Sequence, residues 1–324
     1  MDKKELTRRC ILGHNTGDAL GLPHQFQPRT HFDAHPVTDM TGHGVFDKPA
    51  GYWSDDSSMT LAALDALAEG PEKDRVMNNL VKWLYRNEYT PNCPAYDIGG
   101  TCESAVTRYV RTGDAEHCGD TDERCNGNGS LMRILPAVLY AAWRMPDADT
   151  DARVRFVEGQ SALTHAHPRS CFACGIYAFM IWEMLQEQSK QAALRGIAKA
   201  KEYYEGRADF AAEADWFRVV FNPRVDCLPR ENVESDGYVV DSLEAAVWCL
   251  LNTENYRDCT LLAVNLGEDT DTTAAIAGGV AGLLYGVEGI PTGWLEKLAR
   301  REWIEGLCDR FAENLTFFRT DGKK

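Results

Sequence analysis

The chain lacks any apolar run approaching the roughly 20 residues needed to span a bilayer. Its opening residues, MDKKELTRRC, have neither the apolar stretch nor the small-residue cleavage site of a secretory signal. No membrane attachment is expected, and the expected location is cytoplasmic. Positive charge is scarce as well: 34 Lys+Arg stand against 49 Asp+Glu, a formal charge of −15. Such a chain repels nucleic acid and anionic lipid, so neither is an expected partner, and an anionic ligand has to be held by local groups. The eleven cysteines are odd in number and irregularly spaced, which excludes a disulfide framework and predicts reduced thiols. Cys171 and Cys174 form a lone C-x-x-C without the second pair that zinc would require, and read as two thiols on a packed helix.

Period-2 alternation is nearly absent too, whereas apolar residues recur at helical spacing through most of the 324 residues. The expected fold is all-α, with helices near 3–20, 56–69, 72–87, 100–111, 130–144, 150–166, 168–186, 190–204, 207–220, 239–250, 256–265, 271–285 and 293–306. With 44% apolar residues, no linker and no fixed-period repeat, a single compact multi-helix domain over 1–324 is the simplest organisation.

The chemistry is concentrated between helices, where Gly, Asp, Asn, Ser and Thr cluster. Ser54-Asp55-Asp56-Ser57-Ser58 precedes one apolar helix, and Asp269-Thr270-Asp271-Thr272-Thr273 opens the small-residue helix that runs on through AAIAGGVAGLLYG. Either cluster can be a helix cap, since one oxygen satisfies free amides and acidic groups suit the positive helix end. A cap needs only one such residue, however, and adjacent carboxylates repel unless a cation lies between them. Together the clusters supply carboxylate and hydroxyl oxygens without His or Cys, a hard donor set that suits Mg²⁺ or Mn²⁺ better than Zn²⁺. Spacing alone does not bring them together, because more than 200 residues intervene.

Taken in order, GDALGLPHQF (17–26), GYWSDDSSM (51–59), DIGGT (97–101), NGSLMRILP (128–136), THAHP (164–168), GYVVDSLEAAVW (237–248) and GEDTDTTAAIAGGVAGLLYG (267–286) resemble the ADP-ribosylglycohydrolase family. The resemblance covers nearly the whole chain. It implies an all-α fold, two Mg²⁺ or Mn²⁺ ions, and hydrolysis of the glycosidic bond between ADP-ribose and an acceptor, either a modified protein or a small-molecule conjugate. Metal ligands then fall on Ser54, Asp55, Asp56, Asp269, Asp271 and Thr272. Asp56 and Asp97 become the catalytic carboxylates, and Gly100 and Thr101 supply amides and a hydroxyl to the diphosphate at a helix N-terminus. Asn128, Gly129, Ser130 and Met132 wall the ribose and diphosphate pocket, His165 lies near the distal ribose or diphosphate, and Tyr238 stacks at the adenosine end.

One position departs from the family. Gln25 stands where a Glu usually reaches the metal centre, and an amide can coordinate or hydrogen-bond but cannot accept a proton as a base. That substitution raises an alternative, an ADP-ribose reader or immunity protein with little turnover. A retired hydrolase used only for packing is a third reading, opposed by the six intact predicted ligands, Ser54, Asp55, Asp56, Asp269, Asp271 and Thr272.

Overall fold

The computed structural model of the chain describes residues 2–317. Among them the helical periodicity becomes fourteen α-helices joined by loops and 3₁₀ turns, with isolated bridges and no sheet. In order they are α1 (Lys3–Gly21), α2 (Arg29–Ala34), α3 (Asp55–Glu69), α4 (Lys73–Arg86), α5 (Gly100–Thr112), α6 (Leu135–Arg144) and α7 (Thr150–Ser161). The second half comprises α8 (Pro168–Gln186), α9 (Lys190–Glu205), α10 (Val239–Leu251), α11 (Tyr256–Val264), α12 (Thr270–Tyr285), α13 (Thr292–Lys297) and α14 (Arg301–Phe317).

The site is positioned by the pairing of α1 with α12. Both helices are buried almost throughout, and α1 carries His14, Asn15, Thr16 and Asp18 into the interior. Their axes come unusually close because glycine faces glycine. A Cβ on Gly13 would lie 2.4 Å from the Gly278 carbonyl oxygen, and one on Gly278 would lie 2.4 Å from that of Gly13. Tyr256 donates its hydroxyl to the Gly13 carbonyl at 2.6 Å, and Tyr177 donates to that of Ile276 at 3.1 Å. This backbone-to-backbone approach fixes where both acidic helix starts end up, since α12 begins beside Gly21 at the end of α1, with Thr270 donating to the Gly21 carbonyl at 2.8 Å.

Four segments differ from the periodicity. The expected helix over 130–144 begins only at Leu135, where Pro136 suits a first turn, and 128–130 form a 3₁₀ turn. That over 150–166 stops at Ser161, since the Asp120 amide donates to the Thr164 carbonyl and the Ala166 amide to that of Asp120. The segment 207–220 is only short 3₁₀ turns, although its pattern is helical. There Phe210, Phe217 and Phe221 gather round Phe172, so tertiary packing outweighs local propensity. The helix expected over 293–306 divides at Arg300, whose φ of 51° is left-handed and whose guanidinium lies 3.6 Å from the Trp303 ring centroid. Helix α2, six residues long, is too short to show a period. Cys171 and Cys174 are buried thiols on α8, and all eleven cysteines are free.

Candidate active site

Asp55 and Asp56 open α3 and Asp271 opens α12, so the fold brings the two distant clusters into one place. Ser54 caps α3 by accepting from the Asp56 amide at 3.2 Å, and its hydroxyl donates back to Asp56 Oδ2 at 3.0 Å. The Thr272 hydroxyl reaches the same oxygen from α12 at 3.2 Å. The helix-cap reading is therefore true of Ser54 and incomplete: cap and acidic cluster are one structure. Asp269 precedes α12 without capping it and accepts from the Asn128 amide at 2.7 Å.

These carboxylates are forced together away from water. Burial first, then Asp97 and other acidic neighbours, pushes Asp55 well above the ordinary carboxylate range. Burial followed by Asp18 and Asp55 does the same to Asp56, and burial followed by Asp97 and Asp56 to Asp271. Two buried oxygens, Asp56 Oδ1 and Asp271 Oδ2, have no hydrogen-bond partner, and neither has Gln25 Oε1. Among the described residues no three His, Cys, Asp or Glu side chains form a preassembled ligand group. The donors that do converge mix carboxylates with the hydroxyls of Ser54 and Thr272. Orphaned carboxylate oxygens beside hydroxyls, in a neighbourhood of uncompensated negative charge, are the donor chemistry of a hard divalent cation.

Asp18 is a residue of this site that sequence reasoning passed over. Fully buried on α1, it accepts from the Ser54 amide at 2.9 Å, the Ser57 amide at 2.9 Å and the Ser57 hydroxyl at 2.6 Å. It thereby fixes the turn that presents Asp55 and Asp56, and burial outweighs those bonds to raise it to about 6. The available signal was a lone carboxylate in a helix whose neighbours are all core residues.

A cavity of about 390 Å³ opens beside the carboxylates, and Gln25, Asp55, Asp97, Gly100, Thr101, Asn128, Gly129, Met132, His165, Asp269 and Thr272 all line it. Asp97 is not a cap: Gly99 stands before α5, and Asp97 has a left-handed φ of 55°. Gln25 donates to Asp97 Oδ2 at 2.8 Å. Burial raises Asp97 to about 6, against the opposing bond from Gln25. Gly100 and Thr101 put the open N-terminal amides of α5 against the cavity, the usual setting for an anion. Gly129 has to be small, since a Cβ there would stand 2.8 Å from Cys102 Sγ and 2.9 Å from His165 Cε1.

His165 is held as a neutral ring, its pKa brought down to about 3 by burial and then by the Arg133 charge. Arg133 donates to the Thr164 hydroxyl at 2.7 Å, which stands 2.9 Å from His165 Nδ1. The other ring nitrogen, Nε2, faces Gly127 and Gly129, and it carries the ring proton in the tautomer in which the Thr164 hydroxyl donates to Nδ1.

Five expected residues lie away from the lining. Ser130 turns inward, accepting from Ser161 at 2.8 Å, and Tyr238 stands at the rim, accepting from Arg169 at 2.8 Å with its ring edge-on to Trp216. Ser54 and Asp56 lie behind the wall, as does Asp271.

The sequence model described as ADP-ribosylglycohydrolase matches residues 1–317. The ADP-ribosylarginine hydrolase Tri1 of Serratia proteamaculans is 31% identical over 313 residues, covering 93% of this chain and 77% of its own. An ADP-ribosyl-[dinitrogen reductase] glycohydrolase of Rhodospirillum rubrum is 29% identical, covering 89% of this chain and 88% of its own. A solved structure of an ADP-ribosylglycohydrolase-related protein complex superposes with a TM-score of 0.78 at 28% identity, over 97% of this chain and 99% of that one. With two acidic helix starts meeting beside a glycine-walled cavity and a match along almost its full length, the chain belongs to the ADP-ribosylglycohydrolase family.

Proposed function

We propose that the chain hydrolyses the glycosidic bond between ADP-ribose and an acceptor, reversing ADP-ribosylation of a protein side chain or a small conjugate, with two Mg²⁺ or Mn²⁺ ions as cofactors. The observation that carries this reading is the pair of orphaned buried oxygens, Asp56 Oδ1 and Asp271 Oδ2, among mutually raised carboxylates next to the cavity. Ser54, Asp55, Asp56, Asp269, Asp271 and Thr272 would hold the ions. Bound there, hard divalent cations supply an activated water and orient the vicinal hydroxyls of a ribose.

The protein's own groups do the rest. The amides of Gly100 and Thr101 take the diphosphate, and His165 donates from Nε2 without adding a charge. Gly129 lets the sugar approach the backbone, and Asn128, tied to Asp269 and to Ser242 at 2.8 Å, keeps that wall in register with the carboxylates. Asp97 is the group suited to exchange a proton with the acceptor or the incoming water. It faces the cavity, its pKa is near neutrality, and Gln25 orients it. Asp56, behind the wall with one oxygen already accepting two hydroxyls, is assigned to metal binding and not to proton transfer. A developing oxocarbenium ion would be favoured by the surrounding carboxylates.

A reader or immunity role with little turnover, raised by Gln25, gains nothing from this geometry, because Gln25 leaves Asp97 in place. The test is release of free ADP-ribose from modified protein in Mg²⁺ or Mn²⁺. Release lost with EDTA and in Asp269→Ala is expected; release that persists in EDTA overturns the metal dependence, and none under any condition overturns the hydrolase.

A further inference from the structure

A diphosphate is anionic, yet no lysine or arginine lines the cavity and the chain's formal charge is −15. Behind the wall, however, lies a cation without a counterion. Arg133 is 1% exposed and forms no ion pair among the described residues. Its partners are neutral: one terminal nitrogen donates to the Gln160 carbonyl at 3.1 Å, the Ser161 carbonyl at 3.3 Å and the Thr164 hydroxyl at 2.7 Å, while the buried Nε has no hydrogen-bond partner. Gln160 and Ser161 end α7, so the negative end of that helix offsets only part of the charge. Arg169, also buried, is by contrast paired with Glu213 and Glu123. A charge withdrawn from water is costly unless something opposite in sign meets it.

Nothing in the chain itself meets it. The ionisable groups that act on Arg133 are Cys102, Cys118 and Cys174, and burial pushes Cys102 up to about 12 and raises the other two, so all three stay uncharged thiols. The charge nevertheless reaches the cavity. It acts on Cys102 and His165, both of which line the space, and the Thr164 hydroxyl that accepts from Arg133 stands 2.9 Å from His165 Nδ1. Away from water, a charge is felt across such a layer of side chains with little screening by salt. An unmet buried cation behind the neutral wall of an open cavity calls for an anion inside that cavity.

We infer that Arg133 is a positioning residue whose buried charge is the counterion of the ligand's diphosphate, acting through Thr164 and His165 without touching it. The inference rests on the proposed function for ADP-ribose as ligand, and adds to it the group that makes a site in so acidic a chain receptive to an anion.

Wild type, R133K and R133Q, each loaded with Mn²⁺, are titrated calorimetrically with ADP-ribose and with adenosine plus ribose, which lack the diphosphate. Hydrolysis of an ADP-ribosylated protein and melting temperature are measured alongside. R133Q keeps a hydrogen-bond donor and loses the charge, whereas R133K keeps the charge. The Kd for ADP-ribose should rise roughly tenfold to a hundredfold in R133Q and less than about threefold in R133K, while adenosine and ribose bind all three alike. KM should rise with Kd at nearly constant kcat, as for an interaction shared by ground and transition states. An arginine that merely ties down the end of α7 would lower the melting temperature and leave the preference for the diphosphate intact. That outcome overturns the inference, and so does a loss in R133K equal to that in R133Q. Where R133Q fails to fold, wild type decides: the nitrogen NMR signal of Arg133 Nε must move with ADP-ribose and not with adenosine plus ribose, and a signal unmoved by ADP-ribose refutes the role. If wild type binds ADP-ribose but releases none from modified protein, the hydrolase reading fails and the titrations still decide Arg133. A wild type that binds no ADP-ribose overturns both.

Discussion

Asp271→Asn should stabilise the metal-free protein and destabilise the metal-loaded one relative to wild type. In the fold Asp271 is fully buried, its Oδ1 accepts from the Thr272 amide at 2.9 Å, and Oδ2 has no donor. Its carboxyl also contacts Asp97, another carboxyl whose pKa burial has raised. Asparagine has the same shape, no charge, and an amide able to donate toward Asp97. A hydrogen bond to a charged group contributes about 1.5–3 kcal/mol, so a gain of about 1–3 kcal/mol is expected without metal. For a chain of this size that is about 2 °C in melting temperature per kcal/mol. A metal present at a thousand times its Kd stabilises the native state by about 4.1 kcal/mol, most of which the variant forfeits with a ligand. Scanning calorimetry in EDTA and in saturating Mn²⁺ should therefore show the two proteins exchanging rank. A variant less stable than wild type in both buffers, or one stabilised by Mn²⁺ as strongly as wild type, would refute the reasoning.

The His165 ring stays neutral in the fold down to about 3, whereas in the unfolded chain it takes a proton near 6.5. Its contribution to instability is absent above about 6.5 and grows as pH falls toward 3, so His165→Asn should lose about 2–3 kcal/mol less than wild type between pH 6.5 and 4.5 in urea unfolding. Gly13→Ala should lower stability by about 3 kcal/mol, read as a fall in the urea midpoint at constant m, because its methyl group would strike the Gly278 carbonyl. Asp18→Asn should remove acceptors from the turn at Ser54–Ser57 and weaken Mn²⁺ binding in calorimetric titration, although Asp18 is outside the proposed ligand set; unchanged affinity would deny it a positioning role.

Helix positions were legible where an apolar stripe ran for three turns or more, as in α8 and α12. They were not legible where tertiary contacts cut the pattern short, as at Ser161, Arg300 and the phenylalanine cluster around Phe172. The acidic residues could be named from their incompatibility: Asp55 and Asp56 cannot share a helix start comfortably without a cation. Their meeting with Asp271 could not be derived from spacing, because it depends on glycine contacts between α1 and α12 that no local pattern encodes. Asp18 escaped for the related reason that its partners, Ser54 and Ser57, lie on another helix start.

The central claim is that the starts of α3 and α12 form one cage for divalent cations. Anomalous diffraction from crystals soaked in Mn²⁺ tests it most directly. Two peaks between Ser54–Asp56 and Asp269–Thr272, removed by Asp271→Asn, are predicted, and a fully soaked crystal with no peak between those helix starts would contradict the account.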